Sequence, residues 1–558
     1  MSDTIACHEF YLAGSLEKVF WNRMPQIMKE GEKISILRGE IPAVQLVYRA
    51  LRETEDTEKP YVRCEVRGFP VRARLRDVEL VPSAFPVTGK TDDNYLTKEP
   101  GLFPDLLKPK KDDCIIPLTG QFRALWIDFP HTEKAPAGIY PVEVVLTGKE
   151  ETVTLSFLLE VSAESLPPQK LIHTEWFHTD CLADFYHTEV FGDFHWEVIE
   201  KQIKMAGELG INMLLTPVFT PPLDTDIGGE RTTVQLIDIT LKDGKWEFGF
   251  DKLEKWCDIC KKHGIRYLEI PHLFTQWGAE AVPKIIVNRE GIPEKMFGWH
   301  VKADAPSYRN LLEAFLPALQ QKLLSMGYTR EQIYFHVSDE PDTGNLESYR
   351  TAKAVVEDLL EGWQVIDALS DYDFYETGLI RQPVPANDHI QPFLDHGVEN
   401  LWTYYCCSQK YDVPNRFFAM PSARNRIMGV LMYVYDMKGF LQWGFNFYNS
   451  QLSREHIDPF FDTHAGYAFP SGDPFLVYPG PGGEPWSSVR AEVQRQALYD
   501  MRALEKLELL AGREAVMELI YEGHEAPFTF TEYPKQASYL YELRNKIEDK
   551  IKQYAQEK

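Results

Sequence analysis

The residues that most invite chemistry are two adjacent acids in Tyr334-Phe-His-Val-Ser-Asp-Glu-Pro341. An apolar strand rarely ends in neighbouring carboxyl groups, because uncompensated burial of charge is costly, and Pro341 stops strand pairing just beyond them. Strict alternation would send Asp339 and Glu340 to opposite faces. Both reach one cleft only if the backbone bends at this end. Ordinary glycosidases set two carboxyl groups across the bond, about 5 Å apart for retention and farther for inversion. An adjacent pair suits a different route, in which the substrate's own 2-acetamido group is the nucleophile. That route needs one general acid/base and one neighbouring carboxylate to orient the acetamide N–H. Asp339 and Glu340 can fill those two roles between them.

The elements that must hold such a pair follow from the rhythm of the chain. Residues 1–165 carry short alternating runs such as Val44-Gln-Leu-Val-Tyr48 and Tyr61-Val-Arg-Cys-Glu-Val66, separated by Gly, Pro and Asp clusters. This pattern predicts an N-terminal β-sandwich. After the linker Ser165-Leu-Pro-Pro-Gln-Lys170 the pattern becomes strand, helix, strand, with eight apolar runs beginning near His173, Ile211, Ile265, Gln332, Trp363, Gly378, Leu401 and Gly439. Eight such units predict a (β/α)8 TIM-like barrel over residues 171–510, although the sixth and seventh units leave little room for a full helix. Asp243-Gly244 marks an inserted hairpin. Residues 511–558 read as a C-terminal helical extension packed on the barrel. The fold class is thus multidomain, β followed by α/β with C-terminal helices.

In such a barrel the active site lies at the C-terminal ends of the strands. The candidates there are His178 and Asp180 after the first strand, His272 near the third, Asp339 and Glu340 on the fourth and Tyr372 after the fifth. Trp402 and Tyr404 follow on the seventh, with Trp443 and Asn446 on the eighth. Glu230 and Arg231 join them from a Gly-opened turn. Trp443 and Tyr404 are expected to supply stacking area for a sugar. Barrel glycosidases of the common retaining kind carry a nucleophilic Glu after strand seven. Here that place reads Tyr404-Tyr-Cys-Cys-Ser-Gln409, without a carboxylate.

These stretches resemble glycoside hydrolase family 123 and the wider group sharing its barrel, the DUF4091 domain. The resemblance is carried by WFHTDCLADFY from Trp176, INMLLTPVFTPPLDT from Ile211, GGERTTVQL from Gly228, HLFTQWGAEAVPK from His272 and YFHVSDEP from Tyr334. LWTYYCC from Leu401, GFLQWGFNFY from Gly439 and GDPFLVYPGPGGEPWSSVR from Gly472 complete it. It implies an exo-acting β-N-acetylgalactosaminidase, retaining through an oxazolinium intermediate, with Asp339 positioning the acetamide and Glu340 as general acid/base. It implies no cofactor and no metal.

Composition narrows the partners. With 59 Lys+Arg against 84 Asp+Glu the net charge is -25, which repels phosphate backbones and anionic lipids. The expected partner is a small carbohydrate, with no nucleic acid and no membrane, in the cytoplasm. No leader precedes the first apolar run, and the eight cysteines are read as reduced thiols. The rivals are a related barrel glycosidase of other sugar specificity, and a metal-dependent hydrolase using His178, Asp180, His272 and His336. A carbohydrate-binding protein without activity is the third, against which the intact carboxyl pair argues.

Overall fold

The computed structural model describes residues 8–51, 61–149 and 152–556. The first seven residues, on which the absence of a leader was read, lie outside the described residues. The chain divides into two compact units: residues 1–169, 414–435 and 486–558 form one, and residues 170–413 and 436–485 the other.

The first unit contains two five-stranded sheets. Strands Ala43–Ala50 and Arg123–Asp128 sit inside one, and Thr152–Ser165 and Gly138–Thr147 inside the other. Every second residue of these strands enters a shared apolar core: Val44, Leu46 and Tyr48 from one sheet meet Val142, Val144 and Leu146 and then Phe157, Leu159 and Val161 from the other. The period of two read in the sequence is this alternation. Helices belong to the same unit and are tied to its sheets by buried ion pairs. Arg490 of the helix Val489–Ala511 pairs with Asp105 at 2.8 Å, and Glu492 with Arg76 at 2.6 Å. Arg424 reaches Asp92 at 2.6 Å. The C-terminal helix Ala537–Gln556, expected as an extension of the barrel, instead groups with these sheets, where Arg544 pairs with Glu40 and Lys552 with Glu160. Its charged side chains are its anchors.

The second unit is built on eight parallel strands, labelled β1 (Ile172–Glu175), β2 (Met213–Leu215), β3 (Tyr267–Glu269), β4 (Ile333–Phe335), β5 (Gln364–Ala368), β6 (Gln382–Val384), β7 (Trp402–Tyr404) and β8 (Gly439–Gln442). Their order runs β6-β5-β4-β3-β2-β1-β8-β7, and a single bridge from Ala386 to Tyr404 joins β6 to β7. The result is a nearly closed barrel. The helices after β5 and β6, Tyr372–Glu376 and Gln391–Asp395, have five residues each, so the sixth unit is as short as expected, whereas β7 is followed by two helices, Ser422–Arg426 and Met428–Val434. The hairpin turns at Asp243 (φ 49°) and Gly244 (φ 72°), the paired left-handed residues of a tight two-residue turn. Its strands join Ile285–Arg289 and Ile292–Phe297 in a four-stranded sheet.

Inside the barrel, Met213, Leu215, Ile366, Val384, Trp402 and Leu441 share one apolar cluster. Trp402 is fully buried, and a Cβ on Gly439 would fall inside its indole. Gly439→Ala is therefore expected to destabilise the barrel by about 1–3 kcal/mol through overpacking, read as a lower denaturation midpoint. An unchanged midpoint would mean the indole can move aside. Among the described residues, no helix is long and apolar enough to cross a membrane.

Candidate active site

The strand β4 ends at Phe335, but its chain runs on to the carboxyl pair. Trp277 N–H donates to the Asp339 carbonyl at 3.1 Å, which ties the β3 loop to that position. The next residue, Glu340, takes φ 41°, a left-handed conformation that is uncommon outside glycine. This is the bend that alternation demanded. It puts Asp339 and Glu340 in one cleft, together with Trp176, His178, Leu223, Asp224 and Trp443. Local strain of this kind clusters at functional sites.

Both acids are held in reluctant form. Burial, then the neighbouring Glu340, pushes the Asp339 carboxyl well above its usual range, against the pull of His336. Burial also raises Glu340, while a hydrogen bond from the Tyr404 hydroxyl to Oε1, at 2.6 Å, opposes the rise. Burial disfavours the charged form of both carboxyl groups, and the charge of Glu340 disfavours ionisation of Asp339 further.

Beneath them lies a second charge network. His336 Nε2 faces Glu269 Oε1 at 2.7 Å, and its Nδ1 lies 3.4 Å from Asp367 Oδ1. Glu269 also accepts from the Trp176 indole at 2.8 Å and from Thr174 at 2.5 Å. Asp367 accepts from Val337 N–H at 2.9 Å and Tyr349 OH at 2.5 Å. Burial alone would lower the His336 pKa, but its two carboxyl partners outweigh this and raise it to about 9. Its protonated form in turn favours ionisation of Asp339, against the effect of burial. His272 stacks on His336 with centroids 4.2 Å apart, and burial with that neighbouring charge keeps it well below its ordinary pKa. His272, His336 and Asp367 bring possible ligand atoms within 4.8 Å of one another; on His336, Nε2 is already bonded to Glu269 while Nδ1 has no hydrogen-bond partner.

The other sequence candidates divide. His178, Tyr404 and Trp443 line the cleft with the carboxyl pair. Tyr404, named from the sequence as a stacking ring, also donates a hydrogen bond to Glu340. Trp443 is fixed by its indole N–H to Asp473 at 3.0 Å. His178 donates from Nε2 to the Trp443 carbonyl at 2.8 Å and accepts at Nδ1 from Arg231 at 3.0 Å. Burial and the Arg231 charge hold it neutral, at about 3. Asn446 clamps the His178 backbone at both N–H and carbonyl, at 2.8 and 3.3 Å. Asp180 and Arg231 form a buried bidentate pair at 2.7 Å behind His178.

The remaining candidates lie elsewhere. Glu230 pairs with Lys284 and Lys295 beside a separate groove. Tyr372 stacks on His396 at 4.6 Å on its short helix. Trp402 and His272 are buried inside the barrel. Strand-end reasoning missed Asp224, Gln276, Trp277, Cys406, Cys407 and Phe469, all of which line the cleft. Asp224, Gln276 and Trp277 come from loops well past their strands; Phe469 comes from the long loop after β8, where no local pattern marks it.

Comparison with known proteins settles the family. Residues 176–507 match the catalytic domain of glycoside hydrolase 123. The chain belongs to glycoside hydrolase family 123. Its fold is similar to that of a family 123 glycoside hydrolase from Clostridium perfringens, described for glycolipid glycan hydrolysis, with 14% identity, 99% of each chain covered and a TM-score of 0.73. Weaker likenesses reach an Ig-like-domain GH10 xylanase from termite gut (10% identity, 85% of this chain and 100% of that one, TM-score 0.32). Another is the endo-β-1,4-mannanase of Thermotoga petrophila (11%, 60% and 77%, TM-score 0.29). No curated protein matches the sequence. As a family 123 member the protein is a glycosidase and acts on a carbohydrate.

Proposed function

We propose that this glycosidase is an exo-acting β-N-acetylgalactosaminidase that retains configuration through the 2-acetamido group of its substrate. The observation that carries the reading is the left-handed Glu340, which brings two adjacent carboxyl groups into one cleft. The β7 end supplies Tyr404, Cys406 and Cys407 to the same cleft and no carboxylate to act as an enzyme nucleophile. The Clostridium relative's description in terms of glycolipid glycans agrees with a terminal amino sugar as target.

In the first step the acetamide oxygen attacks C1 while Glu340 gives its proton to the glycosidic oxygen. The C1–O bond breaks, and the positive charge is spread over a bicyclic oxazolinium. Asp339, accepting from the acetamide N–H, stabilises that charge. In the second step Glu340 removes a proton from water as the water oxygen bonds to C1, and the ring reopens to the acetamide. Two inversions at C1 give net retention. Arrival of an N–H donor favours the ionised form of Asp339, while burial keeps Glu340 in the protonated form that the first step needs.

Tyr404→Phe tests the acid assignment. The hydroxyl holds Glu340 below the value that burial sets, so its loss raises the pKa of the acid. The alkaline limb of kcat/KM then moves to higher pH. A limb that stays in place or moves down would remove Glu340 as the titrating acid.

The function itself is tested by turnover of an aryl β-N-acetylgalactosaminide beside its glucosamine epimer, with and without chelator. Hydrolysis of the first, with the β-anomer released first and no effect of chelator, supports the proposal. Preference for the epimer would reassign the sugar, and chelator-sensitive turnover would favour a metal at His272, His336 and Asp367.

A further inference from the structure

Trp277 differs from the other rings of the cleft. Trp176, Tyr404 and Phe469 are buried, whereas Trp277 is 48% exposed although it lines the same cleft as Asp339 and Glu340. Its backbone is left-handed at φ 54°, followed by Gly278 at 132° and Ala279 at 53°. A bulky residue in that region is an outlier, and such conformations persist only where the surroundings enforce them. Here Trp277 N–H is bonded to the Asp339 carbonyl at 3.1 Å and Ala279 N–H to the Thr275 carbonyl at 3.2 Å. The Gln276 side chain accepts from Asp224 N–H. The segment thus holds, under backbone strain, a half-exposed Trp277 in the lining of the cleft. Apolar area left open inside a cleft is area that a bound ligand can cover with gain.

The charge around it is one-sided. Asp224, Asp339 and Glu340 line the cleft, and no Lys or Arg does so among the described residues. An anionic ring seated there would meet these carboxyl groups with no lysine or arginine in the lining to pair with it.

We propose that Trp277 is the stacking platform of a leaving-group subsite, which takes a neutral sugar ring with its apolar face on the indole. The proposal rests on the glycosidase reading, because the group that Glu340 protonates must depart past the exposed side of the cleft. The terminal sugar occupies the buried side, against Trp176, Leu441 and Trp443.

The test compares wild type with Trp277→Ala and Trp277→Phe in turnover and in binding. The substrates are a methyl β-N-acetylgalactosaminide and the same sugar linked to a neutral hexose. Trp277→Ala should lower kcat/KM on the disaccharide by about 10-fold, the scale of one lost ring contact, and change the methyl glycoside less than about 3-fold. Trp277→Phe should restore most of the loss. Equal losses on both substrates, or none on either, overturn the platform. Binding of a neutral disaccharide such as lactose, followed calorimetrically, separates this from the catalytic reading. Binding to wild type that Trp277→Ala abolishes supports the platform even if no glycoside is cleaved. Equal binding to both proteins, or none to wild type, overturns it. A matched disaccharide ending in a uronate should bind at least about 10-fold more weakly than the neutral one; equal affinity would overturn the neutral-ring assignment.

Discussion

Asp339→Asn is expected to lower turnover of an aryl β-N-acetylgalactosaminide by roughly 10²–10³-fold, the scale of losing one preorganised electrostatic contact. The amide keeps the shape of the carboxylate but brings no negative charge to the oxazolinium, and its NH2 can be turned against the acetamide N–H. The same substitution should stabilise the fold. Burial and Glu340 lift the Asp339 carboxyl well above its ordinary range. From its unfolded value of about 4 upward, the folded chain therefore holds a proton that the unfolded chain has released. Stability falls with rising pH across that window. Asn has no such proton to lose, so the variant's advantage is absent below about pH 4 and grows above it. Thermal melts of both proteins across a pH series, beside turnover at each pH, check this pairing. Loss of activity with no gain in stability at neutral pH would show that Asp339 is not held against its ionisation.

Glu340→Gln should cost at least about 10²-fold on substrates with poor leaving groups, the usual scale of general acid catalysis. A substrate with a very good leaving group needs little protonation, so its first step should suffer less. The second step still needs the base, and the intermediate should then accumulate or partition to added nucleophiles. Small, equal losses on both substrate kinds would exclude Glu340 from proton transfer. Trapping of a glycosyl ester on any carboxylate of the wild-type enzyme would sink the substrate-assisted route for both residues.

The two substitutions probe neighbours whose roles differ only through their surroundings. Asp339 is buried and drawn toward ionisation by the His336 charge, while Glu340 carries the Tyr404 hydrogen bond. Neither partner was paired with its acid from the sequence. His336 entered only as a metal ligand in a rival reading, and Tyr404 as a ring. What turns them into electrostatic partners is the barrel interior, where side chains from different strands meet in layers.

The sequence by itself determined the eight parallel strands, the inserted hairpin and the carboxyl pair. Each is written in local terms: apolar runs at the right spacing, a turn that needs two left-handed residues, and two acids where a strand should end apolar. It also carried the family, through long motifs between Trp176 and Leu507 that the family match spans. Tertiary structure alone decided which strand-end residues face the cleft. Trp402 lies two residues before Tyr404 on the same face of β7, yet it is sealed within the barrel at Gly439 while Tyr404 reaches Glu340. Position along the barrel axis, which alternation does not encode, separates them. Asp224 and Trp277 reach the cleft from loops whose course depends on contacts with distant chain, including Leu452 N–H to the Asp224 carboxylate at 2.9 Å. The helices after β7 and β8 group with the N-terminal sheets because Asp92, Asp105 and Arg76 pair with them over more than 300 residues of sequence separation. Local pattern names the elements; which charges meet across such separations is settled only when burial forces each to find a partner.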